Sequence, residues 1–418
     1  MSSFVNSVEK AKVSLRKLFE PTPLQYNNYL SKKYNAEIFL KREDLSPVRS
    51  YKIRGAFNFM RKALEKNSQV KEFVCASAGN HAQGVAYACK HFNVTGTIFM
   101  PVTTPQQKIN KTISFGGKNI NIKLIGDYFD QTLKSAKAYS EDKSIIFLPP
   151  FDNLDVIEGQ ATVMSELIEQ FSKMGNPDLI SLAVGGGGLS SGMMKYAKNY
   201  NLDFDFKLVE PEGASSLRAA LEAGKEITLS KINNFVDGAA VAKIGKINFE
   251  ILKELDLKSV YCAPEDRVCS TIIEMLNFEG LVLEPAGALS IDVLKDLSKG
   301  EIRGKKVVCI VSGGNFDFER LPDVKERAMR YSGFKKYLIL RLPQRPGALK
   351  DFLGLLGPND DITRFEYLKK SARNFGSVLI GIETKRTPDF QELFKKLTES
   401  GFVFQDITDN EELKEFIL

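Results

Sequence analysis

From about residue 73 the chain alternates short apolar runs with stretches long enough for a helix, and this alternation limits the folds open to it. Apolar runs at 73–76, 97–100, 122–125, 145–148, 179–184, 206–209 and 307–311 are each followed by a longer mixed segment. Such a rhythm predicts an α/β architecture with largely parallel sheets covered on both faces. The strand count exceeds one comfortable sheet, so two α/β subdomains with a cleft between them are expected. Near Phe316 the rhythm changes. Residues 317–332 are charged and helical in period, and a compact strand, helix, strand, strand, helix, strand unit follows at 337–341, 347–356, 362–368, 378–383, 388–397 and 403–407. That βαββαβ order is a ferredoxin-like plan. The boundary between the two regions is expected at roughly residues 320–335, and no tandem copy of the second unit is present.

The 418 residues are 43% hydrophobic and 26% charged, enough for a large buried core in two or three domains. The 58 basic and 52 acidic residues give a net charge of +6 with no polybasic block, so neither nucleic acid nor an anionic membrane is the expected partner. No apolar run approaches a membrane span and the N-terminus lacks a signal-peptide core, so a cytoplasmic location is expected. Five cysteines form no CxxC pair and are expected to be reduced, with three of them in or beside apolar runs. Two histidines, His81 and His91, exclude a multi-histidine zinc site. Demanding chemistry is therefore assigned to a cofactor.

Four glycine-bearing stretches carry the chemistry. An amphipathic helix is expected at 5–18, Pro21-Thr22-Pro23-Leu24 stops it, and a strand at 38–41 leads to Arg49-Ser50-Tyr51-Lys52-Ile53-Arg54-Gly55. Lys52 stands at the start of an apolar helical run, flanked by Arg49 and Arg54, and neighbouring cations or burial would lower its pKa and free the amine for Schiff-base chemistry. Taken alone, the stretch also reads as a solvated basic cluster opening a surface helix. Ser77-Ala78-Gly79-Asn80-His81-Ala82-Gln83-Gly84 follows a strand and opens a helix expected at 85–92, a place suited to a carboxylate and equally to an ordinary N-cap. Gly185-Gly186-Gly187-Gly188-Leu189 precedes a helix at 190–200, and four glycines let the backbone close around a phosphate. The stretch fits neither a Walker loop nor a dinucleotide fingerprint, so a phosphate without a nucleotide is the natural ligand. Ser312-Gly313-Gly314-Asn315 ends the strand at 307–311, where a hydroxyl could meet a heteroaromatic nitrogen or cap a helix.

The order and spacing of Ser50-Tyr51-Lys52-Ile53-Arg54-Gly55, Ser77-Ala78-Gly79-Asn80-His81, the glycines 185–188, Glu284-Pro285-Ala286-Gly287 and Ser312-Gly313-Gly314-Asn315 resemble the fold-type II pyridoxal 5'-phosphate enzymes. Within them the chain is most similar to the biosynthetic threonine dehydratases (threonine ammonia-lyases). The terminal unit resembles their ACT-like regulatory domain through Arg341-Leu342-Pro343-Gln344-Arg345-Pro346-Gly347-Ala348-Leu349 and Ile362-Thr363-Arg364-Phe365-Glu366-Tyr367. The resemblance implies a tryptophan synthase β-like catalytic domain at 1–320, a linker at 321–335 and an ACT-like domain at 336–418. It implies that Lys52 anchors pyridoxal 5'-phosphate and acts as the general base. Gly185, Gly186, Gly187, Gly188 and Leu189 would hold the phosphate, Asn80 the ring 3'-oxygen and Ser312 the pyridine nitrogen. Ser77, Ala78, Gly79, Asn80 and His81 would receive the substrate.

The implied activity is conversion of L-threonine to 2-oxobutanoate and ammonia in isoleucine biosynthesis, under feedback by isoleucine, in a homotetramer. A serine at the ring nitrogen leaves a weaker electron sink than a carboxylate would, which favours prompt loss of a β-hydroxyl. Serine racemases of the same fold carry a second serine where this chain has Ala78, so racemisation is expected to be weak. The stretch Glu210-Pro211-Glu212-Gly213-Ala214-Ser215-Ser216 aligns with a cation loop of relatives but has Ser216 in place of an aspartate. No divalent metal is expected, and Glu210 with Ala214 are the candidates for a weakly held monovalent ion. The alternatives are a serine dehydratase or racemase of the same fold, and a non-catalytic amino-acid sensor using the same cleft. Loss of isoleucine inhibition on truncation after about residue 330 is the expected sign of the terminal unit's role.

Overall fold

The computed structural model describes residues 2–141, 144–368 and 375–410. They divide into two compact units, Met1–Asp317 and Phe318–Leu418. In chain order the strands are β1 (Leu24–Tyr26), β2 (Glu37–Arg42), β3 (Glu72–Ala76), β4 (Thr95–Met100), β5 (Ile120–Leu124), β6 (Ile145–Phe147) and β7 (Leu179–Ala183). Next come β8 (Asp205–Pro211), β9 (Val260–Ala263), β10 (Lys306–Val311), β11 (Lys335–Pro343), β12 (Asp361–Leu368), β13 (Phe375–Glu383) and β14 (Val403–Asp406).

The first unit holds two sheets, as the alternation predicts. The larger has strand order β1-β2-β10-β7-β8-β9, and all but β1 run parallel. The smaller has order β5-β4-β3-β6 and is parallel throughout. The central strand β10 shows why. Its residues Val307 to Val311 are all buried, as a strand covered by helices on both faces requires. Two strands escape the periodicity. β1 follows Pro21 and Pro23 directly and lies at the sheet edge, where a proline-bounded strand is tolerated. β9 is a four-residue strand at the opposite edge.

All four strands of the smaller sheet fall between β2 and β7, so the small subdomain is an excursion from the larger one. Helices Lys52–Lys66 and Leu154–Phe171 bracket it and press together closely. A Cβ on Gly55 would lie 2.3 Å from the Gln160 side chain, and one on Gly159 would lie 2.4 Å from the Arg54 carbonyl oxygen.

The second unit has the antiparallel sheet β12-β13-β11-β14 with helices Ala348–Leu353 and Pro388–Glu399 in βαββαβ order. Leu338, Leu340, Val378 and Ile380 of the sheet pack with Phe352, Phe390, Leu393 and Leu397 of the helices. The segment 321–335, expected as a linker, is instead mostly helix, Leu321–Tyr331. It is fastened to β11: Lys335 Nζ reaches Glu326 at 2.6 Å and the Tyr337 hydroxyl donates to Glu326 at 2.9 Å. Glu326 thus ties the helix to the first strand of the second unit. A cut after residue 330 would divide that helix from its strand, and the division between units falls at Asp317. Residues 411–418 of the expected terminal domain lie outside the described residues.

Candidate active site

The Ser77, Gly185 and Ser312 motifs each lie directly beyond the carboxyl end of a parallel strand, the usual place for ligand contacts. Lys52 is the first residue of its helix, which begins without a side-chain cap. Its Nζ donates to the Pro150 carbonyl at 3.0 Å and lies 5.3 Å from the Tyr51 ring centre and 6.0 Å from that of Phe151. Burial lowers its pKa to about 8, with Glu284 pulling weakly the other way. A lysine in that range offers a useful share of neutral amine near pH 7.

The helix after β3 starts at Asn80 rather than 85, so Asn80 and His81 form its first turn; again no side chain caps it. Ser77 Oγ accepts from the Gly79 N–H at 3.2 Å. His81 Nε2 donates to the Leu148 carbonyl at 3.1 Å, and burial, then the Lys52 charge, drives its pKa to about 3. The ring is neutral at physiological pH, and it packs as structure rather than serving as a base. Ala78 rests partly buried on the small-subdomain core.

The tetraglycine loop presses on the same spot. A Cβ on Gly186 would meet the Phe151 ring at 2.3 Å, one on Gly185 would meet the Ala239 backbone at 3.0 Å, and Gly187 has φ +88°. Only glycine allows that path. The following helix, Gly188–Asn199, begins without a side-chain cap, leaving its first N–H groups for a ligand. The Leu189 side chain is buried in the core, so this residue can contribute only backbone.

Ser312 is buried at the end of β10, and its carbonyl accepts from the Tyr51 N–H at 3.1 Å. That bond, with the bridge between Ser50 and Gly313, binds the serine loop to the lysine stretch. Two residues that stand in the quoted motifs without an assigned role complete this wall. Glu284 Oε1 accepts from Asn80 Nδ2 at 2.7 Å, and its Oε2 accepts from the Asn315 N–H at 3.3 Å. Burial, then Asp237, raises the Glu284 pKa to about 7. Asn315 Nδ2 donates to Asn80 Oδ1 at 2.6 Å and to the Val48 carbonyl at 2.9 Å. The only sequence signal for them is that both stand in glycine-bearing motifs. Phe151, which faces Lys52 and backs two of the glycines, carries none.

One expectation needs correction. Arg54 does not tune Lys52. Residues two apart on a helix point about 200° apart, and Arg54 turns away into a buried ionic cluster. Its Nε donates to Glu43 at 2.7 Å and its Nη1 and Nη2 to Glu166 at 2.8 Å each, while Lys41 Nζ reaches Glu166 at 2.8 Å. The lowered Lys52 pKa comes from burial instead. The Glu210 carboxylate accepts from the Leu217 and Arg218 N–H groups at 2.7 and 2.9 Å. It acts as a cap for the helix Ser216–Ala223. No group of three or more His, Cys, Asp or Glu among the described residues is arranged to hold a metal ion. None of the five cysteines is in a disulfide, and Cys75, Cys89, Cys269 and Cys309 are buried. No helix among the described residues is long and apolar enough to cross a membrane.

Comparison with known proteins agrees with this layout. The family described as "Pyridoxal-phosphate dependent enzyme" matches residues 15–313, and "C-terminal regulatory domain of Threonine dehydratase" matches residues 326–417. The chain is 46% identical to L-threonine dehydratase biosynthetic IlvA of Staphylococcus aureus strain NCTC 8325, over 93% of this chain and 92% of that protein. It is 44% identical to the protein of the same name from Halalkalibacterium halodurans, over 96% of each. Among solved structures, the processed form of threonine deaminase isoform 2 from Solanum lycopersicum matches with TM-score 0.70 and 31% identity, covering 78% of this chain and 94% of that one. A second solved threonine deaminase, from T.th., matches with TM-score 0.68 and 29% identity, covering 75% and 98%. With both regions matched, and with relatives aligned nearly end to end, the chain belongs to the biosynthetic threonine dehydratase family of pyridoxal-phosphate dependent enzymes.

Proposed function

We propose that this protein converts L-threonine to 2-oxobutanoate and ammonia, the first step of isoleucine biosynthesis, using pyridoxal 5'-phosphate, and that isoleucine restrains it through the second unit. The observation that carries this is the half-buried Lys52 amine, pKa lowered to about 8, facing the Phe151 ring against which Gly186 leaves no room for a Cβ. The residues present suit the cofactor. The uncapped helix start after Gly185–Gly188 suits its phosphate, the Phe151 and Tyr51 rings beside Lys52 suit an aromatic ring, and Asn80 and Ser312 supply polar groups for the ring oxygen and nitrogen.

Bound pyridoxal phosphate supplies the electron sink for the pair released at the substrate Cα. Lys52 would anchor the cofactor, and its Nζ, when free, would take the Cα proton. With a pKa near 8, about a tenth of the amine is neutral at pH 7, enough for a base in a protected site. The Ser77 hydroxyl, itself held by the Gly79 N–H, and the N–H of Asn80 at the uncapped turn hold the substrate carboxylate, fixing Cα–H toward Lys52. His81, neutral and bonded to Leu148, keeps that turn in place without competing for the proton. Ala78 has no hydroxyl to return a proton to the opposite face, which favours elimination over racemisation.

The assembly proposed is a cytoplasmic homotetramer, checked by light scattering of the purified protein. The deciding experiment is an absorbance spectrum of the holoprotein with and without L-threonine, coupled to assay for 2-oxobutanoate. A coloured protein that turns over L-threonine faster than L-serine and is inhibited by isoleucine supports the proposal. A protein that binds amino acids without releasing a keto acid would be the sensor of the alternative.

A further inference from the structure

The Asn80 amide is held across the cleft by a chain of hydrogen bonds whose direction is dictated at both ends. Asn80 and Lys111 belong to the small subdomain, and Asn315 and Glu284 to the large one, so the chain passes from one to the other three times. It begins at Lys111 Nζ, which can only donate, and does so to Asn315 Oδ1. That leaves Asn315 Nδ2 as donor to the Val48 carbonyl, which can only accept, at 2.9 Å, and to Asn80 Oδ1 at 2.6 Å. Asn80 must then turn its Nδ2 to Glu284 Oε1, at 2.7 Å. Amide orientations are ordinarily assigned rather than seen, but here a lysine and a main-chain carbonyl leave one self-consistent choice. Glu284 Oε2 closes the loop on the Asn315 N–H at 3.3 Å.

We infer that Asn315, Lys111 and Glu284 are positioning residues that lock the Asn80 amide with its nitrogen end available to the cofactor ring oxygen. This rests on the proposed role of Asn80. A flipped amide would present oxygen to oxygen, replacing a hydrogen bond with a repulsion. The chain includes residues from both sides of the cleft, so the lock exists only with the two subdomains together. Nδ2 has a second hydrogen for which Asn80 finds no acceptor among the described residues.

The test uses the full-length protein, stripped of cofactor and titrated with pyridoxal phosphate, with the dissociation constant and the absorption maximum as readouts. Asn80→Ala serves as reference and is expected to weaken binding about tenfold, the size of one lost hydrogen bond to a charged group. Asn315→Asp keeps the shape and the acceptor for Lys111 but turns an oxygen on Asn80 Oδ1. It is expected to lose nearly as much as Asn80→Ala and to shift the absorption maximum likewise. In the Asn80→Ala background it should cost less than twofold more. Lys111→Met, a milder change, should show a smaller loss that also vanishes in that background. Losses that simply add in the double variants, with far-ultraviolet dichroism unchanged, would overturn the inference and leave Asn80's own role standing. An Asn80→Ala protein with unchanged affinity and spectrum would instead remove the role of Asn80, and the inference with it.

Discussion

Replacing Gly186 with alanine should weaken cofactor binding by roughly one to two decades. Gly186 does not have a positive φ, so alanine costs little in backbone strain there. The cost is steric. The new Cβ would lie 2.3 Å from Phe151 ring carbons, about 1.2 Å short of a relaxed carbon contact near 3.5 Å. Phe151 has little room to retreat, because a Cβ on Gly188 would already lie 3.2 Å from its own Cβ. Overpacking of this kind costs about 1–3 kcal/mol, and each 1.4 kcal/mol is a factor of ten in binding. The strain falls on the loop proposed to hold the phosphate. Titrating the stripped protein with pyridoxal phosphate measures it directly, and the smaller melting-temperature gain on adding cofactor measures it again. Gly300→Ala is the control, since its nearest neighbour would be Ser298 Oγ at 3.9 Å. A Gly186→Ala dissociation constant within twofold of the parent would refute the close-approach account of the loop.

Lys52→Ala should cost roughly a thousandfold or more in turnover while far-ultraviolet dichroism stays unchanged, and borohydride reduction of the parent should tag Lys52 alone. Tagging at another lysine would contradict the assignment. Since burial lowers the Lys52 pKa from 10.5 to about 8, its neutral form appears at lower pH than in a free chain. The rate of cofactor reloading should climb with pH and level off just above 8, and a rate still rising at about pH 10, where an unperturbed lysine titrates, would contradict this. Glu166→Ala strips the shared partner from Arg54 and Lys41 in a buried cluster and should destabilise the protein by about 3–5 kcal/mol in denaturant titration. A loss under about 1 kcal/mol would mean that water or a rearranged side chain replaces it. A protein ending at Asp317 should keep turnover and lose isoleucine inhibition, whereas retained inhibition would place the effector in the first unit.

The two α/β sheets and the antiparallel unit were legible because each rests on local rules: apolar runs of strand length, glycines where backbones touch, a βαββαβ rhythm. β1 and β9 were not, since a three-residue strand behind prolines and a four-residue edge strand carry almost no period. In the site, Lys52 and the tetraglycine could be recognised by residue type, for no other side chain does their work. Glu284 could not. A glutamate before Pro285 reads as an ordinary helix start, and its partner Asn80 lies 204 positions away. The same distance effect hid the Arg54 cluster, whose Glu166 is 112 positions away, and made a neighbour in sequence look like a neighbour in space.

The glycine-to-glycine contact between the helices that bracket the small sheet has a mechanical consequence. The chain leaves and re-enters the larger body side by side, at Gly55 and Gly159, so the covalent links of the small sheet run through one tight crossing. Lys52 stands just before that crossing, whereas the Ser77 to His81 turn lies beyond it. Any swing about that crossing would change the spacing between the turn proposed to hold the carboxylate and the Lys52 amine. A bulkier residue at Gly159 would stiffen or skew that swing, slowing the approach of substrate while leaving the reacting groups themselves unaltered.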